Sequence, residues 1–320
     1  MRRVAARMHL WGGLVTGPLL LVLGLSGSAL VFGPELEQAL DGPPVIATTA
    51  TSAPSLDAVV AAAVVGQPGA EPRALRLPAR PDQPYRVELT VGGRRLDVAI
   101  DPSTLRVVDT RAPERSLLVA VRSLHAAFHA GRAGALLVGL LGVWLVVEGV
   151  TGLWLYGPWS GPRAIRRARG PSRALHRIVG GGSLVVGVVV GLTGTMLALA
   201  SASLLVSPSL ATGGLTRLDF VAERVPAHGR ITALVAGPGH RVRVDARKPD
   251  GGVGSVVVDG DSGAIVATGV ASTRDAWDVV RRLHAGDFAG WASRLVYAGV
   301  GLALPMLSIT GFLISTRRRA

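Results

Sequence analysis

Four stretches of the chain, residues 10–32, 133–156, 178–199 and 295–314, read as nearly unbroken apolar runs. About 20 apolar residues in a helix cross a hydrocarbon layer of about 30 Å, so each run predicts a membrane-spanning helix. Between the first and second runs, and again between the third and fourth, the pattern changes to alternation of apolar and polar positions. PYRVELTV and HRVRVDAR predict strands. VAIDPSTLRVVDT (98–110) and VVVDGDSGAIVAT (256–268) each predict strand, turn, strand around Asp-Pro-Ser or Gly-Asp-Ser-Gly. SLDAVVAAAVVG (55–66) predicts a short amphipathic helix after a Thr/Ser/Ala/Pro linker at 48–55.

The pattern occurs twice. VRSLHAAFHAG (121–131) and VRRLHAGDFAG (280–290) precede the second and fourth runs, and GLSGS (24–28) matches GLTGT (191–195). His9, His125, His176 and His284 each precede a Ser/Thr-Gly pair near the far end of a run: Ser26-Gly27, Thr151-Gly152, Thr193-Gly194 and Thr310-Gly311. The His-to-Gly separations are 18, 27, 18 and 27 positions, so the chain reads as two copies of one unit. The expected architecture is a membrane α-helical, four-helix bundle built from two parallel repeats, each carrying a small extracytoplasmic α+β domain. Its parts are a first helix (1–33), a first outer domain (34–116), a second helix with an outer extension (117–158), a basic loop (159–174), a third helix (175–201), a second outer domain (202–274), a fourth helix with an outer extension (275–315) and a tail (316–320).

Composition agrees: the 320 residues are 49% hydrophobic, with a mean hydropathy of +0.42. The net charge is +13, nearly all from arginine, Lys248 being the only lysine. Its placement argues against nucleic acid as the partner. Arg2, Arg3 and Arg7 precede the first run; Arg163, Arg166, Arg167, Arg169, Arg173 and Arg177 lie between the second and third; Arg317, Arg318 and Arg319 follow the last. The positive-inside rule places these clusters, and both termini, in the cytoplasm. The basic run GPRAIRRARG therefore reads as a topogenic loop. With no cysteine, disulfides, thiolate metal sites and Cys nucleophiles are excluded. Gly27-Ser28-Ala29 imitates a signal-peptide cleavage site, but the run before it is longer than a usual signal core and belongs to the repeat.

This topology sorts the histidines into His9 with His176 at the cytoplasmic ends of spans one and three, and His125 with His284 at the outer ends of spans two and four. Two facing imidazoles from a four-helix bundle suit a six-coordinate haem; a zinc site fits less well, since zinc takes three or four protein ligands. Arg122, Arg281 and Arg173 are candidates for haem propionates. His129, four after His125, is an alternative ligand or an exposed neighbour, and His228 and His240 read as surface residues. Glu148, the one ionisable residue within a run, is a candidate for proton-linked or haem-tuning work, or for snorkelling. Trp11, Trp154, Trp159 and Trp291 fit an aromatic belt.

RMHLWGGLVTGPLLLVLGLSGSALVF, SLHAAFHAGRAGALLVGLLGVWLVVEGVTGLWL, ALHRIVGGGSLVVGVVVGLTG and the final LH…ITGFL resemble the PepSY-associated transmembrane helix proteins of bacterial inner membranes, which include ferric-siderophore reductases. The two outer segments resemble PepSY domains. The resemblance implies haem b held by His9, His125, His176 and His284, two haems in all, and electron flow from the cytoplasm to ferric iron outside. Some relatives carry a flavin or nicotinamide domain. No Gly-rich fingerprint in a strand–turn–helix setting occurs in this sequence, so the electron donor is expected to be another protein or a quinol. The expected function is therefore transmembrane electron transfer in the inner membrane, reducing a ferric complex. The rivals are a non-enzymatic anchor whose PepSY domains bind or regulate a partner such as a peptidase, and a transporter using the repeat for alternating access.

Overall fold

A computed structural model describes residues 1–41, 53–112, 116–156, 170–204, 215–225, 229–247, 253–268 and 271–316. His228, Trp159, Lys248, most of the 48–55 linker, Arg163, Arg166, Arg167, Arg169 and the arginines at 317–319 lie outside the described residues.

Contacts divide the chain into two units. The first is helical. Its long helices are α1 (Arg2–Val31), α5 (Gly131–Tyr156), α6 (Pro171–Leu204) and α9 (Gly290–Thr316), and all four are long and apolar enough to cross a membrane. Helices this apolar all round leave large side chains such as Val15, Leu140 and Val185 on the outside, as lipid-facing helices do. Small residues carry the contacts within. Helices α1 and α9 cross at Gly24 and Gly301, and α5 and α6 at Gly142 and Gly191; at each crossing a Cβ would run into the opposing backbone carbonyl. Ser28 donates to the Ala298 carbonyl at 2.9 Å, and Thr195 shares its proton between the Gly191 carbonyl of its own helix at 2.8 Å and that of Gly139 at 3.1 Å. Each long helix packs on two neighbours, α1 on α5 and α9, α6 on α5 and α9, so α1 faces α6 and α5 faces α9 across a ring. Arg294 of α9 pairs with Glu35 of α2 (Gly33–Asp41) and donates to the Val31 carbonyl, closing the C-terminus of α1.

His125 and His284 are not on the spans themselves. His125 sits on α4 (Leu117–Ala127) and His284 on α8 (Ala271–Ala285). Left-handed Phe128 and His129, with φ of 47° and 59°, separate α4 from α5, and Gly286 and Gly290 separate α8 from α9. The turn is so tight that a Cβ on Gly134 would overlap the Ala127 carbonyl. The outer extensions of helices two and four are thus separate short helices. This explains why 27 positions, rather than 18, part these histidines from their downstream glycines.

The second unit is a sheet of eight antiparallel strands in the order β4-β3-β2-β1-β5-β6-β7-β8. The strands are β1 (Glu71–Arg76), β2 (Tyr85–Val91), β3 (Arg94–Ile100), β4 (Val107–Arg111), β5 (Arg230–Ala236), β6 (Arg241–Arg247), β7 (Val253–Asp259) and β8 (Ile265–Thr268). Where the sequence predicts two separate modules, pairing of β1 with β5 about Leu75 and Leu234 makes one sheet. Its buried side, with Val87, Leu89, Val98, Val244 and Val256, is one core shared by α3 (Leu56–Val65) and α7 (Leu218–Glu223). Joining removes two edges whose N–H and C=O groups would otherwise be unpaired. The two halves match in register: Leu75 opposes Val87 as Leu234 opposes Val244, and bulges at Arg73 and Thr232 coincide. The helix N-termini are reciprocally capped. Asp219 accepts from Leu56 and Asp57 N–H at 2.8 and 3.3 Å, while Asp57 accepts from Leu218 and Asp219 N–H at 2.8 and 3.2 Å.

Candidate functional site

Each histidine is seated on the Ser/Thr-Gly pair of a neighbouring long helix. His9 Nδ1 lies 3.2 Å from Thr151 Oγ1, His125 Nδ1 3.0 Å from Ser26 Oγ, His176 Nδ1 2.9 Å from Thr310 Oγ1, and His284 Nδ1 3.1 Å from Thr193 Oγ1. Every one of these hydroxyls donates its own proton back along its helix, to the carbonyls of Val147, Val22, Met306 and Val189 respectively. A hydroxyl has one proton, so toward the imidazole it accepts. Nδ1 therefore carries the hydrogen in all four rings, which leaves the lone pair on Nε2, the form in which histidine binds a metal.

The glycine after each hydroxyl makes room for the ring. A Cβ on Gly27, Gly152, Gly194 or Gly311 would lie 2.9, 3.1, 2.9 or 3.6 Å from Cε1 of His125, His9, His284 or His176. The Ser/Thr-Gly pairs serve in the sequence as markers of a repeat; the structure adds that they are the seats of the histidines. A hydroxyl and a missing side chain side by side, at constant distance from a histidine, is the signal that points to this.

Across the ring of helices the histidines meet in pairs. His9 and His176 have ring centres 6.2 Å apart with planes at 84°, and His125 and His284 have centres 6.1 Å apart at 49°. An imidazole nitrogen binds a transition metal at about 2.0 Å, and the ring centre lies about 1 Å behind it, so two rings on opposite sides of one ion have centres about 6 Å apart. Both pairs fit that spacing. Among the described residues no group of three or more His, Cys, Asp and Glu gathers as a ligand set. Two imidazoles at that spacing suit a metal whose other positions are filled by a macrocycle.

At the His9–His176 pair a cavity of about 300 Å³ is lined by Gly13, Gly17, Gly180 and Gly187 among others, and runs along α1 from His9 to Leu20. That is about 17 Å of helix at 1.5 Å per residue, walled largely by glycine and apolar side chains, and suits a flat apolar group. Burial pushes the His125 imidazole below its ordinary value, and burial together with the nearby His125 lowers His284 to about 4. Neutral imidazoles at neutral pH are the ligating form.

Glu148 belongs to the His9 seat. Its Oε2 lies 2.7 Å from His9 Nδ1, and its Oε1 accepts from Trp144 Nε1 at 3.0 Å. Of the arginines expected to meet haem propionates, Arg122 and Arg281 are exposed and Arg173 is half-buried. Arg177, read in the sequence only as part of the cytoplasmic basic cluster, lines the cavity. His129 is exposed in its left-handed turn, and His240 is exposed beside Asp261.

Comparison with curated proteins returns no match. The family described as the PepSY-associated TM region matches residues 6–318, essentially the whole chain. This multi-pass membrane protein therefore belongs to the PepSY-associated transmembrane family.

Proposed function

We propose that the chain is a haem-binding electron-transfer protein of a bacterial inner membrane that reduces ferric iron outside it. The observation that carries the proposal is the two histidine couples, each with ring centres spaced for one metal ion and each ring held at Nδ1 by a hydroxyl. His9 and His176 would hold one haem b, and His125 and His284 the other. Bound haem supplies one-electron chemistry that no side chain here offers. The chain's own part is to orient the four imidazoles by their hydroxyl seats, to admit a planar group between glycines, and to keep water from both sites with apolar helices. Gly27, beside His125, lies 18 positions after His9, so the two sites stand about 27 Å apart along α1 at 1.5 Å per residue.

The arginine clusters orient the reading: His9 and His176 lie on the cytoplasmic side, and the two halves, as parallel repeats, carry their sheet-forming segments outside. Donor and acceptor are then on opposite sides, the donor being a cytoplasmic protein or membrane quinol. One electron converts Fe(III) to Fe(II), which hard oxygen ligands hold less firmly. The test is the visible spectrum of the detergent-purified protein expressed with haem supplied. A Soret band that shifts on reduction supports the reading. A colourless protein would overturn it in favour of a membrane-anchored binding protein.

A further inference from the structure

The four histidine seats are alike but for one residue. Three positions before the four hydroxyls stand Leu23, Glu148, Val190 and Leu307. Gly13 of α1 faces Glu148, a Cβ there lying 3.7 Å from Oε2, as Gly180 of α6 faces Leu307, at 3.5 Å from Cδ2. One half of a matched arrangement thus has a carboxylate where the other has leucine. The surroundings are fitted to it. Trp144 donates to Oε1, and Gly12 leaves the space the pair fills, since a Cβ there would meet both the Trp144 ring and Glu148. The Glu148 side chain is only 12% exposed, and a carboxylate within a span is costly to keep.

We infer that Glu148 is a tuning residue, acting through His9 to give the His9–His176 haem a lower reduction potential than the His125–His284 haem. The inference rests on the haem reading above. At three seats the imidazole N–H meets a neutral hydroxyl; at His9 it also meets a carboxylate oxygen at 2.7 Å. A carboxylate on the far nitrogen makes the ligating nitrogen more basic, and a stronger donor favours Fe(III) over Fe(II). Arg177 lines the same cavity and acts on the site as a whole, whereas Glu148 acts through the ligand's own N–H. An electron entering at the His9–His176 site then runs downhill to the His125–His284 site, so direction is built into the pair of sites.

The experiment is an optically monitored redox titration of the purified, haem-loaded protein, wild type beside Glu148→Gln and Trp144→Phe, in one alkaline buffer. Two waves are expected in the wild type. In Glu148→Gln the lower wave moves up by at least tenfold in its reduction equilibrium, about 59 mV for one electron. The upper wave, the haem-to-protein ratio and the low-spin spectrum stay as they are, because Thr151 still accepts from His9. In Trp144→Phe the lower wave moves further down, since the carboxylate loses a competing N–H donor. Shifts of opposite sign from two neighbouring substitutions are not produced by general damage. Unchanged waves in Glu148→Gln, movement of the upper wave instead, or loss of one haem from that variant would each overturn the inference while leaving the haem reading intact. A wild type without haem would overturn that reading itself, and is seen before any variant is compared.

Discussion

A β-carbon on Gly194 would sit 2.9 Å from Cε1 of His284, closer than carbon atoms pack, whereas one on Gly311 would sit 3.6 Å from Cε1 of His176, in ordinary contact. The same substitution therefore has different expected outcomes at the two positions. Gly194→Ala should push His284 off Thr193, leaving one haem per chain and the spectrum of the remaining site. Gly311→Ala should retain both haems. Haem-to-protein ratio with the low-spin spectrum checks this; equal effects, or none, would mean that the rings do not depend on these seats. The four histidines are legible in the sequence because their distances to the Ser/Thr-Gly pairs recur. Their seats are not, because regular spacing along the chain does not say which helix packs on which. Gly27 is seated against His125, not against the His9 from which its distance is counted. Glu148 is visible as a lone charge in an apolar run, but its partner His9 lies 139 positions away.

At the scale of elements, α3 and α7 exchange carboxylates across the two halves of the sheet. Burial pushes the Asp219 carboxyl up, but the Ser55 hydroxyl and the Leu56 and Asp57 N–H groups together hold it below the usual carboxylate range. A carboxyl lowered on folding contributes stability above its unfolded pKa, about 3.9, and that contribution is lost as the pH falls through the folded value. Asp57→Ala and Asp219→Ala should each lower the unfolding free energy at neutral pH by about 0.5–2 kcal/mol, the usual worth of an N-cap. Thermal or denaturant unfolding of the purified variants measures this; full stability in both would show the exchange to be idle. Strands β2, β3, β6 and β7 are legible as alternation. β1 and β5 are not, because a bulge at Arg73 and at Thr232 breaks their alternation, and Pro72 further disguises β1. The break after α4 is hidden as well, since it opens with left-handed Phe128 and His129, residue types that do not announce such a conformation, ahead of left-handed Gly131.

Among the described residues, one unit is a ring of four apolar helices and the other an eight-stranded sheet, each assembled from segments of both halves of the chain. The four long helices follow from run length alone. That the outer segments join in one sheet does not, because β1–β5 pairing unites strands some 160 positions apart, and no periodicity records a partner at that distance. At this scale the proposal is of two independent metal sites, each completed by one histidine from either half of the chain. The measurement that tests it most directly is haem content with the low-spin spectrum of the purified protein and of His9→Ala, His125→Ala, His176→Ala and His284→Ala, singly and in pairs. Two haems are expected in the wild type. Each single change should spoil one site and spare the other, and His9→Ala with His176→Ala should resemble either change alone. Loss of both haems from that double variant, or four single variants that keep the wild-type spectrum, would contradict it.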